Sequence, residues 1–256
     1  MKGLLKHPLR VIARLAWLGF ELLFAAFNYL FCVACRTDSH SLQARAHWLQ
    51  VGSRRVLRIF DTEFVVDGQI PKKGLLVCNH LSYVDILVLS ALTSCIFIAK
   101  SEVRNWPIFG WFAQLAGTLF TDRTRRAQVG RLTAQIQTAL SQGALVVLFP
   151  EGTSSDGLEV LPFKSALLEP ATNPAYALTA SHIGYQLEDG NVAEEVCYWK
   201  DMNFAAHLLN LLGKRRIRAH LRLSGLGERR DERKELTRQL HAEVSGLKTT
   251  FIQSSL

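Results

Sequence analysis

Apolar residues change their spacing near residue 60, and the change predicts two kinds of structure. Residues 15–35, LAWLGFELLFAAFNYLFCVAC, contain a single charge, Glu21. An apolar run of that length is long enough to span a bilayer. In residues 41–60, Leu42, Ala46, Leu49, Val56, Ile59 and Phe60 recur at partly helical spacing among Arg45, Arg54, Arg55 and Arg58, with Trp48 between them. A basic amphipathic helix with an aromatic anchor suits a lipid interface, and a surface helix of a globular part has the same pattern. From 64 onward the runs shorten to strand length. Phe64–Val66, Leu75–Cys78, Ile96–Ala99, Ala144–Phe149 and Tyr176–Ile183 read as strands. Helices are expected at 84–93, at 126–142 (Val129, Leu132, Ile136, Leu140), at Phe204–Leu212 and at 228–247 (Leu236, Leu240, Val244, Leu247). Ile217, Ala219, Leu221 and Leu223 alternate with Arg216, Arg218, His220 and Arg222, a half-buried strand with one basic face. Strands alternating with helices predict an α/β fold, a mostly parallel sheet flanked by helices.

Charge sharpens the division. The chain has 256 residues and a net charge of +8. Residues 1–60 hold nine Lys/Arg against Glu21 and Asp38, so +7 of that charge lies there. Basicity concentrated on an apolar segment points to anionic lipid rather than nucleic acid. Lys2, Lys6, Arg10 and Arg14 precede the apolar run, and Arg36 and Arg45 follow it. The positive-inside rule keeps both flanks cytoplasmic. One straight span cannot satisfy that; a helix lying in one leaflet, or a hairpin that dips and returns, can. The expected organisation is an N-terminal helical membrane anchor over residues 1–60 and an α/β domain over 61–256 on the cytoplasmic face.

Five cysteines imply no disulfide framework. Cys32 and Cys35 have redox-motif spacing but lie in the apolar run, where small apolar residues face lipid. The eight histidines show no zinc-ligand spacing, and Walker, dinucleotide-binding and nucleophile-elbow patterns are lacking. No metal and no cofactor is expected.

The candidate chemistry lies at two strand ends. Val77-Cys78-Asn79-His80-Leu81-Ser82-Tyr83-Val84-Asp85 places an imidazole just beyond a buried strand and a carboxylate at the start of the next helix. An imidazole held by a carboxylate is a general base near neutral pH. Phe149-Pro150-Glu151-Gly152-Thr153-Ser154 follows another buried strand, where a glycine lets backbone approach a ligand and short hydroxyls can donate. Trp106, Phe109, Trp111 and Phe112 crowd beside Arg104, which suits either a membrane-facing lip or core packing.

Asn79-His80-x-Ser82-x-x-Asp85 and, further on, Glu151-Gly152-Thr153 together resemble the glycerolipid acyltransferase family, which includes 1-acylglycerol-3-phosphate acyltransferase. Ala99-Lys100, Trp106-Pro107-Ile108-Phe109-Gly110 and Gly117-Thr118-Leu119-Phe120-Thr121-Asp122-Arg123 look like that family's second motif. The resemblance implies acyl transfer from acyl-CoA or acyl carrier protein to a lysolipid hydroxyl. His80 is then the base and Asp85 its orienter, with Asn79, Ser82, Lys100, Arg123, Glu151, Gly152, Thr153 and Ser154 lining the site. Many relatives carry an arginine where Ser154 stands, and that arginine is held to bind the acceptor phosphate. Lys100 and Arg123 match the family's other basic positions. Glu159-Val160-Leu161-Pro162-Phe163-Lys164-Ser165 looks like the branch that acylates lyso-ornithine lipid, whose acceptor needs no phosphate. Lysophosphatidic acid is the first expected acceptor and lyso-ornithine lipid the second; a non-catalytic lipid-binding or transfer protein is the reading from another class.

Overall fold

Five parallel strands whose carboxyl ends share one edge form the body of a seven-stranded sheet, and the candidate residues gather at that edge. The computed structural model describes residues 7–34, 41–121, 126–230 and 232–253. In chain order the elements begin with α1 (Pro8–Tyr29), continued by a π-helical turn (Leu30–Ala34), then α2 (Ser41–Ile59), β1 (Thr62–Asp67) and β2 (Gly74–Cys78). α3 (Val84–Leu92), β3 (Ile96–Lys100), α4 (Phe109–Leu115), β4 (Leu119–Thr121), α5 (Arg126–Ser141) and β5 (Leu145–Leu148) follow. The last elements are β6 (Leu178–Leu187), α6 (Val192–Glu195), α7 (Phe204–Gly213), β7 (Ile217–Gly225) and α8 (Arg233–Gln253).

The strand order is β1-β7-β6-β2-β5-β3-β4, and only the β6–β7 pairing is antiparallel. Every residue of β2 and of β5 is buried, as continuous apolar runs in a sheet covered on both faces require. Alternation then sorts their side chains. Leu76 and Cys78 join Val84, Val88, Ile183, Tyr185, Leu221, Leu211 and Leu212 on one face. Leu75, Val77, Val146 and Leu148 meet Leu132 and Ile136 of α5 and Leu236, Leu240 and Val244 of α8 on the other. β7 shows the expected half-buried alternation, with its apolar residues inward.

α2 differs from the interfacial reading. Trp48 is 4% exposed; its ring stacks on Phe112 and meets the edge of Tyr29, and its indole N–H donates to the Ala25 carbonyl. Leu57, Ile59 and Phe60 enter the same core as Leu76 and Val88. Arg54 donates to the Ala91 carbonyl at the end of α3. Trp48 therefore is not a lipid anchor: the apolar face of α2 is used up against protein.

α1 turns an apolar face outward. Pro8 starts it where a missing N–H costs nothing. Its inner side places Leu18 in the core and buries Glu21, which accepts from Arg55 at 2.5 and 3.1 Å and from Trp17 at 3.0 Å. Burial works to raise the Glu21 carboxyl, but those donors outweigh it and hold the group below its usual range. Arg10 and Arg14 donate to the carbonyls of Gly213, Leu212 and Lys214 at the end of α7, so both guanidinium groups cap a helix C-terminus. Outward stand Leu9 (82% exposed), Ile12, Phe20, Leu23 (74% exposed), Phe27 and Phe31. Among the described residues no helix is long and apolar enough to cross a membrane. The flanking charges Lys2, Lys6 and Arg36, and Cys35, lie outside the described residues.

Because Leu57 is 2% exposed inside a core shared with the sheet, Leu57→Ala is expected to cost about 2–5 kcal/mol. Urea unfolding followed by far-UV circular dichroism and by tryptophan fluorescence should still give one coincident transition. A separate early transition for the first 60 residues would contradict a shared core.

Candidate active site

His80 leaves the end of β2 into a turn that is tied on every side. Asp85, in the first turn of α3, is fully buried. Its Oδ2 accepts from His80 Nδ1 at 2.8 Å, from the Leu81 N–H at 2.7 Å and from the Ser82 N–H at 3.0 Å. Its Oδ1 accepts from the Tyr185 hydroxyl at 2.6 Å. A buried carboxylate needs such donors to remain charged. Asp85 thus fixes the His80 tautomer with the proton on Nδ1 and leaves Nε2 as the basic atom. No described residue hydrogen-bonds Nε2. The imidazole stacks on Phe149, centroids 4.2 Å apart and planes 18° from parallel, and its side chain is 21% exposed. The ring is thus held through Nδ1 and by stacking on Phe149, while Nε2 has no partner among the described residues.

The loop after β5 is sewn to the His80 turn. The His80 N–H donates to Glu151 Oε1 at 2.8 Å, and the Ser155 N–H donates back to the His80 carbonyl at 3.0 Å. Glu151 Oε2 accepts from the Leu161 N–H at 3.2 Å. Glu151 is 2% exposed, so its carboxylate braces two backbone segments rather than facing an open site. Burial raises its pKa to about 7, against the opposing pull of the two N–H donors. Gly152 turns the chain at φ 75°, a left-handed conformation that L side chains adopt only under strain. Thr153 is exposed beside it.

Asn79 and Ser82 are also buried. The Asn79 amide pairs with the backbone of Ile183, donating to its carbonyl at 3.0 Å and accepting its N–H at 2.7 Å, so it extends β2–β6 pairing by one side chain. Both shape the turn from beneath. Lys100 is exposed at the end of β3, on the same sheet edge. Arg123 lies outside the described residues.

The Ser154 hydroxyl donates to the Tyr198 carbonyl at 2.5 Å. The Tyr198 N–H donates to the Leu81 carbonyl at 2.8 Å, so the strand-end loops and the segment before α7 form one network. Tyr198 belongs to an aromatic group with Tyr83, Phe204 and Trp106; Phe109 meets Phe204 at 4.8 Å. Tyr83 also shares a 3.0 Å hydrogen bond with His207 Nδ1. The crowd of aromatics near Arg104 is therefore divided. Trp106 and Phe109 line the flank of the His80 turn, Phe112 packs on Trp48, and Trp111 projects 70% exposed. Sequence reasoning missed Tyr185, Tyr198 and His207. Of these, Tyr185 alone left a trace, as an inward position two residues past the expected end of a buried strand.

Glu151 titrates near 7 when folded and near 4.5 when free. The folded state holds the proton more firmly, so this group's stabilising contribution is full below about pH 4.5 and is lost as pH rises through about 7. Glu151→Gln turns an amide NH₂ toward a backbone N–H and should cost about 1–3 kcal/mol at pH 5. The gap to wild type should narrow at pH 8, measured by urea midpoints; a gap independent of pH would rule out the titration.

Residues 63–179 match the family model described as Acyltransferase. A lyso-ornithine lipid O-acyltransferase of Brucella abortus is 49% identical over 116 residues, covering 44% of this chain and 43% of that protein. A Pseudomonas aeruginosa protein of the same name is 33% identical over 184 residues, covering 71% and 70%. Proteins named 1-acyl-sn-glycerol-3-phosphate acyltransferase match as well. The chain spans 43 to 55% of the length of the first three curated relatives. The crystal structure of the 1-acyl-sn-glycerophosphate acyltransferase PlsC from Thermotoga maritima shares the fold, with a TM-score of 0.66 at 20% identity over 94% of this chain and 97% of that one. One position in three identical over most of the Pseudomonas protein, together with the family match over residues 63–179, makes this chain a member of the acyltransferase family.

Proposed function

We propose that the protein transfers a fatty acyl group from an acyl thioester, acyl-CoA or acyl carrier protein, to the free hydroxyl of a lysolipid. The observation that carries this reading is the 2.8 Å His80–Asp85 pair with Nε2 unengaged at an open sheet edge. Nε2 takes the proton of the acceptor hydroxyl, and the oxygen attacks the thioester carbonyl. Asp85 stabilises the imidazolium that forms. Collapse of the tetrahedral intermediate breaks the carbon–sulfur bond, and the imidazolium returns its proton to the departing sulfur. No acyl-enzyme is needed.

Among acceptors, a lyso-ornithine lipid is favoured over 1-acylglycerol-3-phosphate. A phosphate monoester calls for a forked guanidinium, and the position that supplies it in relatives is Ser154, whose hydroxyl is spent on the Tyr198 carbonyl. The names of the Brucella and Pseudomonas relatives agree with that preference. Lysophosphatidic acid, the first acceptor expected from the sequence, thereby moves to second place, and Lys100, exposed at the same edge, supports it. We further propose that the outward stripe of α1, with Trp111 and Ile108, lies in one leaflet on the cytoplasmic side and brings the sheet edge to the lipid surface.

With both lysolipids and one labelled acyl donor, lyso-ornithine lipid should be preferred tenfold or more, ~1.4 kcal/mol in transition-state stabilisation. His80→Ala should lower turnover by ~10²–10⁴-fold while vesicle binding is unchanged; full thiol release from that variant would remove His80 from the mechanism. Leu23→Glu combined with Phe27→Glu should abolish cosedimentation with anionic vesicles without moving the melting temperature. Retained binding would exclude the α1 stripe as the anchor.

A further inference from the structure

We propose that Tyr185 is a positioning residue that sets the basicity of the His80–Asp85 pair through its hydroxyl bond to Asp85 Oδ1, and so sets the lowest pH at which the pair works. This rests on the reading of His80 as the base.

The two oxygens of Asp85 are served differently. The three donors on Oδ2 come from residues 80–82, the turn that carries the base itself. The donor on Oδ1 comes from β6, where Tyr185 is 4% exposed and paired across to Ala219 of β7 in the interior of the sheet. Tyr185 is thus the contact that ties the carboxylate to a sheet strand outside the turn that carries the base. Burial, then the charge of Asp85, push the phenol well above its usual range, so it stays a hydroxyl and a donor.

A donor on a carboxylate draws off part of the charge that stabilises the neighbouring imidazolium. Removing it leaves more charge facing His80, so the imidazolium persists to higher pH and the free base is lost there. Most other titratable groups around Asp85 are silent in that window. Cys78 on β2 and Cys197 before α7 are thiols raised by burial. His182 of β6, on the opposite sheet face, is lowered to about 4 by burial and by Lys248 and Arg222. α2, packed on α3, sends Arg54 to the far end of that helix. His207 is lowered by burial and bonds Tyr83. Glu151 is the group that titrates in the same range, at about 7.

The test therefore holds Glu151 constant within each pair. The pH dependence of kcat/KM is measured for wild type against Tyr185→Phe, and for Glu151→Gln against Glu151→Gln/Tyr185→Phe, with acyl-CoA and lysolipid in mixed micelles. In both pairs the acid limb should move up by about half a pH unit or more, and plateau kcat should fall less than about tenfold. An acid limb that stays put in either pair reduces Tyr185 to packing and overturns the proposal. In an Asp85→Asn background, Tyr185→Phe should change kcat/KM less than about twofold, because the charge it acts through is gone; a loss as large as in wild type would equally overturn it. Should the phenylalanine variant fail to fold, 3,5-difluorotyrosine at 185, a stronger donor, is expected to move the limb down, and no movement decides against the proposal. Wild-type turnover by His80→Ala is a separate result, which removes the base reading itself.

Discussion

A carboxylate sealed from water must find its hydrogen bonds in the protein, and Asp85 imposes that demand on everything around it. Four donors meet it from two separate parts of the chain. The turn after β2 has to curl so that two amides and an imidazole point at one oxygen. α3 has to begin at Val84, so that its first turn carries the carboxylate. β6 has to lie beside β2 in parallel register, Cys78 opposite Ser181, so that Tyr185 reaches the second oxygen. Remove the carboxylate and the turn loses three of the acceptor contacts that shape it.

The surrounding network extends the same logic outward. Glu151 and Ser155 hold the backbone of residue 80 from the β5 side, Asn79 holds β6, and Ser154 and Tyr198 close the circuit toward α7. Most of the polar side chains near the proposed base are thus committed to positioning it. Among the described residues that leaves His80 Nε2 without a protein partner, with Thr153 and Lys100 exposed at the same sheet edge. A site built this way spends its polar groups on preorganisation, which is where a base-catalysed transfer between neutral partners gains most.

The sheet was legible because fully buried strands cannot hide: Leu75–Cys78 and Ala144–Phe149 are unbroken apolar runs, and their ends marked His80 and Glu151. The family motifs named the same residues. The roles of Glu151 and Asn79 were not legible, because a residue type does not say whether its acceptors face a substrate or a backbone N–H 71 positions away. Trp48 was misread for a related reason. An apolar helical stripe records that something apolar covers it, and cannot tell lipid from the Phe112 ring. α4 escaped notice since seven residues between glycine and proline show too little periodicity. Tyr185 lies 100 positions from its partner, beyond the reach of any local pattern.

The guanidinium caps from Arg10 and Arg14 give the outer stripe of α1 one further property. They clamp the helix to α7 whether or not lipid is there, so Leu9, Leu23 and Phe27 cannot fold inward when the surface is taken away. In water these side chains therefore stay exposed, and the molecule carries a fixed apolar ridge whose cost falls only where another apolar phase covers it.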